Sequence, residues 1–317
     1  MSSVRLLPAL LLATAAAVAP AHADPICGGA YDPAERLVHR GRPPVTPPLV
    51  HPLTPATTAP GVVRRVAPAD GAKLVALTFD LCETAGEVAG YDGGVVAALR
   101  AADAPATFFT GGHWAATHPV RFAELLGDGR FEIASHGWTH ANLRITPAER
   151  LALEIAGPTA EFERAAVARA CPAPPVRAPS RYFRFPFGAC DPTSLKAVAG
   201  AGLVPVQWDV SSGDPSPGQS AAAIRGQVLA QVRPGSIVLM HANGRGWHTA
   251  EALPGLITAL RARGYTLVTV GTLMASGTPE TTATCYDARP GDTDRYDHWR
   301  AAAPATTAAL TRRRAGR

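Results

Sequence analysis

The stretch Ser-His-Gly-Trp-Thr-His sets His136 and His140 four residues apart. On a helical turn two imidazoles at that spacing share a face and can hold one divalent cation. Taken alone, the pair also suits an ordinary polar loop. Gly137 follows the first histidine, so this is not the His-Glu-x-x-His pattern of metalloproteases, and a general base must come from elsewhere. The run Leu-Thr-Phe-Asp-Leu-Cys-Glu-Thr, residues 77–84, offers two carboxylates, Asp80 and Glu83. His241 ends another apolar run, Ile-Val-Leu-Met-His, as either a capped core histidine or a proton donor. Arg184 stands in Phe-Arg-Phe-Pro-Phe-Gly. Beside a carboxylate its guanidinium would fix that group's orientation and favour the ionised form; elsewhere it would only bridge loops. Asp209 and Asp214 each fit a turn as well as catalysis. Trp247 and His248, just past His241, are either loop anchors or shapers of a pocket.

These residues need a scaffold, and the sequence supplies an alternation of strands and helices. Seven apolar runs read as strands: KLVALTFD, ATFFTG, FEIAS, YFRFP, LVPVQWD, SIVLMH and YTLVTV. Thr146, Pro147 and Glu149 form a helix-start signature, and a second helix should run from Thr249 to a stop at Gly264. Nearly all-apolar strands separated by helices predict a parallel sheet covered by helices. Asp80, His136, Arg184, Asp209 and His241 all fall at or just past the C-terminal end of a strand. A β/α barrel builds its active site there, and an open doubly wound sheet also gathers ligands there. No Gly-x-Gly-x-x-Gly follows the first strand, so nucleotide binding has no support.

The 317 residues divide unevenly by composition. Residues 1–23 carry Arg5, an apolar run from Leu6 to Val18, and Ala21-His22-Ala23, which together read as a secretory signal peptide. Residues 24–72 are proline-rich and read as a linker or a strap; 73–275 hold the folded domain; 276–317 read as a basic, mobile tail. The expected location is therefore secreted or periplasmic, with no membrane-spanning segment after cleavage of the signal. The five cysteines, Cys27, Cys82, Cys171, Cys190 and Cys285, form no Cys-x-x-Cys pair, which speaks against a cysteine zinc site. A net charge of +5 without a basic stripe gives no case for nucleic acid.

The order of these motifs resembles the polysaccharide deacetylases with a NodB-homology domain (carbohydrate esterase family 4). That family's Thr-Phe-Asp-Asp stands here as Thr-Phe-Asp-Leu, and its His-Ser/Thr-x-x-His as His-Gly-Trp-Thr-His. Arg-x-Pro-Tyr/Phe stands as Arg-Phe-Pro-Phe, and Leu-x-His as Leu-Met-His; the fourth motif keeps only its aspartate, Asp214. The resemblance implies an α/β fold, a distorted (β/α)7 barrel, and a divalent metal, usually zinc. It implies Asp80 as base, His136 and His140 as metal ligands, Arg184 as the tether of the base, and His241 as acid with Asp214 as its partner. Leu239 and Trp208 would line the substrate pocket, and the Phe187 N–H would help hold the oxyanion. The substrate implied is a polysaccharide containing N-acetylglucosamine. Leu81 replaces the metal aspartate, and a turn that swings Glu83 onto the metal is the expected compensation, with Cys82 as the lesser alternative. A Cys82–Cys190 disulfide would brace that turn. The loss of the metal aspartate also leaves open a sugar-binding relic, and Trp247 and His248 a hydrolase of non-sugar amides or O-acetyl esters.

Overall fold

The computed structural model describes residues 31–41, 45–84, 86–167 and 179–298. The expected signal peptide, Cys27 and Cys171 lie outside these. The chain opens with β1 (His39–Arg40), β2 (Val62–Pro68) and β3 (Leu74–Leu81), and β4 (Glu87–Val88) pairs back onto β1. α1 (Gly93–Ala101), β5 (Ala106–Thr110), α2 (Gly112–Thr117), α3 (Pro119–Gly127), β6 (Phe131–Ser135) and α4 (Ala148–Val167) follow. Next come β7 (Tyr182–Phe183), α5 (Pro192–Gly200), β8 (Val204–Pro205), β9 (Val210–Ser211), α6 (Ala221–Gln231) and β10 (Ser236–His241). The described chain then runs through α7 (Thr249–Ala262), β11 (Thr266–Leu267), α8 (Val270–Ala275) and β12 (Gly277–Thr282).

All seven expected runs form strands. β10, β3, β5, β6, β7 and β8 lie side by side in parallel, and β9 returns to pair with β10, so the sheet curls into the distorted barrel anticipated from the sequence. β11 joins the start of β3. Alternation along β3 separates two cores, because successive side chains point to opposite faces. Leu77, Phe79 and Leu81 face the helices together with Phe108, Leu99 and Leu256. Ala76 faces the barrel interior with Phe109, Ala134 and Leu239. Asp80 has the inward parity, so Leu81 is directed away from the mouth of the barrel by the strand itself.

Both domain limits read from composition need correction. β2 lies inside the segment taken as proline-rich, and β12 inside the segment taken as a tail; they pair as an antiparallel ribbon against the start of β10. The chain beyond β12 stays on the body. Arg64 donates to the carbonyls of Tyr286 and Asp287 (2.5 and 2.7 Å), and Arg144 binds the Asp297 carboxylate at 2.6 Å. Cys285 forms a disulfide with Cys190, with Cα atoms 5.4 Å apart. The expected Cys82–Cys190 bridge is absent because Cys190 packs among Leu143, Ile155 and Leu195 outside the barrel, whereas Cys82 is a free thiol at its mouth. Thr146 does not cap α4: its hydroxyl donates to the Asn142 carbonyl at 2.8 Å.

Upstream, residues 31–41 form a strap. The Tyr91 N–H donates to the Glu35 carbonyl (2.7 Å), and Arg121 holds the Glu35 carboxylate at 2.6 Å. The Arg36 guanidinium reaches the carbonyls of Gly246 (3.2 Å) and Trp247. Its own carbonyl presses on Gly90 and Gly244, where the approach leaves no room for a Cβ.

Candidate active site

Asp80 and His241 are register partners at the ends of β3 and β10. Arg184, wholly buried against the Phe109 ring 3.8 Å away, donates from Nη1 to Asp80 Oδ1 at 2.8 Å. Burial alone would raise the Asp80 pKa, but the cationic side chains around it, Arg184 among them, bring it below the usual carboxylate value.

His136 Nδ1 lies 2.9 Å from the Arg184 carbonyl oxygen, a contact that only an Nδ1–H can make as donor. Burial lowers its pKa despite the pull of Asp80, so the ring is neutral and Nε2 is an acceptor. That Nε2 is buried and has no hydrogen-bond donor, although Asp80 Oδ2 is 3.2 Å away. A bound cation would satisfy that orphaned nitrogen. His140 stacks edge-on against His136 (5.0 Å between centroids), and burial holds its pKa well below the usual imidazole value. The two histidines do not sit on a helix, contrary to the spacing argument. Gly137 (φ +77°) and His140 (φ +55°) turn a loop through the left-handed region. Glu154 of α4 anchors that loop, accepting from the Trp138 and Thr139 N–H groups at 3.0 and 2.8 Å and from the Thr139 hydroxyl at 2.5 Å.

Glu83 does not join them, which corrects the expected ligand set. Its Oε1 lies 2.8 Å from His113 Nδ1, and its Oε2 accepts from the Ala89 N–H (3.0 Å) and the Thr117 hydroxyl (3.1 Å). It is turned to α2, behind the barrel wall. Cys82 stands at the mouth instead: one donor atom each from Cys82, His136 and His140 lie within 4.8 Å of one another. Neutral imidazoles, an orphaned nitrogen and a thiol are a donor set that fits a divalent metal.

Across the mouth, His241 Nδ1 is 2.9 Å from Asp214 Oδ1. Asp214 Oδ2 accepts from the His241 N–H (2.7 Å) and from the Thr249 hydroxyl (2.6 Å). Burial pulls the His241 pKa down, and the Asp214 charge and hydrogen bond outweigh it, so the net shift is upward. Asp209 is structural: it binds the Ile237 N–H and the Ser236 hydroxyl, each at 2.9 Å, at the opposite end of β10.

A cleft of about 510 Å³ opens here, and Phe187, Leu239 and Trp208 line it. Phe187 adopts φ +59° in its turn. Among the lining residues that sequence reasoning missed are Asp287 and Tyr296, both in the supposed tail. Asp287 accepts from Trp208 Nε1 at 3.0 Å, and the Tyr296 ring lies 5.0 Å from that of Phe187. Nothing local in sequence marks either; the second cysteine, Cys285, was the available hint. Trp247 and His248 do not line the cleft: Trp247 is 46% exposed, and His248 pairs with Glu251 at 2.8 Å.

Comparison with known proteins identifies the family to which this fold belongs. The polysaccharide deacetylase family model matches residues 67–206. A chitooligosaccharide deacetylase of Sinorhizobium fredii is 35% identical over 211 residues, spanning 62% of this chain and 89% of that protein. The peptidoglycan-N-acetylglucosamine deacetylase PgdA of Listeria monocytogenes is 28% identical over 201 residues, 63% of this chain and 39% of its own. A family 4 carbohydrate esterase from Bacillus anthracis superposes with a TM-score of 0.52 at 26% identity, covering 68% of this chain and 88% of that one. A pseudoenzyme of the same family from that organism gives 0.56 at 25%, covering 70% of each chain. The chain belongs to the polysaccharide deacetylase family.

Proposed function

We propose that the protein is an exported, metal-dependent hydrolase that removes N-acetyl groups from a polymer or oligomer containing N-acetylglucosamine. One observation carries this reading: a carboxylate held ionised, Asp80, and an imidazole held ready to be protonated, His241, face one cleft from neighbouring strands. The names of the Sinorhizobium and Listeria relatives favour an N-acetylglucosamine-containing substrate. Export is favoured by the signal-like start of the chain and by the Cys190–Cys285 disulfide. Among the described residues no helix is long and apolar enough to cross a membrane.

A divalent cation held by His136 and His140 would supply Lewis acidity to the acetyl carbonyl and acidify water. The protein's own groups do the rest. Asp80 has Oδ1 committed to Arg184, so Oδ2 receives the proton of the attacking water. Asp214 occupies Nδ1 of His241, leaving Nε2 to deliver a proton to the departing amine. Leu239 and Trp208 give the acetyl methyl an apolar wall, and the Phe187 N–H serves the developing oxyanion. The products are acetate and a free amino sugar.

The test is acetate release from N-acetylchitooligosaccharides and from peptidoglycan by metal-loaded protein. His241→Ala should lower kcat by roughly 10²-fold or more. Wild-type turnover in that variant would remove His241 as the acid. No acetate from either substrate would refute the substrate class.

A further inference from the structure

We propose that Cys82 is the third metal ligand, a thiolate that takes the place of the carboxylate lost at Leu81 and selects a thiophilic cation of the zinc or cobalt(II) type. The proposal rests on the deacetylase reading above and deepens it.

Three observations converge. The first is parity: Leu81 is fully buried on the helix side, and the next residue turns back to the side of Asp80. The second is proximity. The Cys82 sulfur and one nitrogen each of His136 and His140 lie within 4.8 Å of one another, and His136 Nε2 is buried there without a donor. The third is the surroundings of the sulfur. Asn243, wholly buried just past His241, donates from Nδ2 to the Cys82 sulfur at 3.2 Å and to the Cys82 carbonyl at 3.0 Å. A donor aimed at sulfur restrains its orientation, as outer partners of metal ligands do, and would help a bound cation displace the thiol proton against the burial and the Asp80 charge that hold the free thiol's pKa up. The acids nearby have other partners: Asp80 Oδ1 is held by Arg184, Glu83 by His113 and Thr117, Glu87 by Arg245 and Asp287 by Trp208. Two imidazoles and one thiolate leave a fourth position open, the pattern of catalytic rather than structural zinc. Sulfur with imidazole disfavours magnesium, calcium and manganese, which prefer all-oxygen sites.

Cobalt(II) reports thiolate ligation directly. The protein, stripped by chelator and titrated with cobalt(II), should show a near-ultraviolet sulfur-to-cobalt charge-transfer band that saturates with the metal. Cys82→Ser should lose the band and bind cobalt at least about 10-fold more weakly. Cys82→Asp should bind without the band, because it offers a carboxylate where the thiolate stood. Asn243→Ala should shift the band and weaken binding by about 10- to 100-fold. His136→Ala should abolish binding. Cobalt bound without a band in the wild type, a band that survives Cys82→Ser, or tighter retention of manganese than of zinc would each overturn the proposal. Acetate release separates this from the broader reading: a zinc-loaded Cys82→Asp that still deacetylates keeps the deacetylase even if the thiolate assignment falls. A cobalt band in a protein that never releases acetate would do the reverse.

Discussion

In the mechanism proposed above, His241 and Asp80 set the pH window of the reaction. The acid must be protonated, and its pKa is raised chiefly by Asp214 against the effect of burial, so turnover should fall as pH rises through that raised value. Asp214→Asn removes the opposing charge and leaves burial in control. The alkaline limb of the kcat profile should then move toward acid by about 1–3 pH units. An unmoved limb would mean that another group supplies the proton. Glu83→Gln separates structure from ligation. It breaks a buried hydrogen bond to His113 and should cost about 1–3 kcal/mol in denaturant unfolding while metal stoichiometry stays at the wild-type value. Loss of metal at unchanged stability would return Glu83 to the ligand set. That Asp80, His136, Arg184 and His241 meet at one place was legible because an apolar run that ends in a charged or titratable side chain marks a strand end. Glu83 was misread because its partners lie on α2, about thirty positions downstream, and nothing local announces them.

At the level of elements, the site depends on two braces. Glu154 holds the 136–140 loop by two backbone N–H groups and a hydroxyl. Glu154→Ala should cost about 1–3 kcal/mol for each donor left unsatisfied, and it should weaken metal binding through the released loop. Denaturant melts and metal titration of the same sample would check both effects; a stable protein with loosened metal would contradict the first. The second brace is the disulfide that ties the segment carrying Asp287 and Tyr296 beside the Phe187 turn. Cys285→Ser should cost about 2–5 kcal/mol of stability. It should raise KM more than it lowers kcat, because the segment walls the cleft but touches none of the reacting atoms. The helix-like spacing of His136 and His140 misled for a related reason: a positive φ at His140, a residue that rarely adopts one, is not written in a four-residue interval.

At the scale of the whole molecule, the barrel was legible and its limits were not. The seven core strands sit in mostly apolar runs, whereas β2 carries Arg64 and Arg65, and β12 is nearly all exposed, so both blend into polar surroundings. Truncation after residue 276 tests the difference. It removes β12, Cys285 and the cleft wall, and should leave a protein with a markedly lower Tm or none that is soluble; an unaltered Tm would restore the reading of a dispensable tail. The strap at residues 31–41 adds a dimension of time. Arg36 clasps carbonyls 210 and 211 positions further along, and its docking partners sit in the loops that follow Cys82 and His241. At roughly 5–20 residues per second of synthesis, that stretch must wait about 10–40 s for its seat to emerge from the ribosome. The first part of the described chain to be made is thus among the last to settle, and a nascent protein can own a nearly complete barrel while the loops beside its reactive groups are still unclasped.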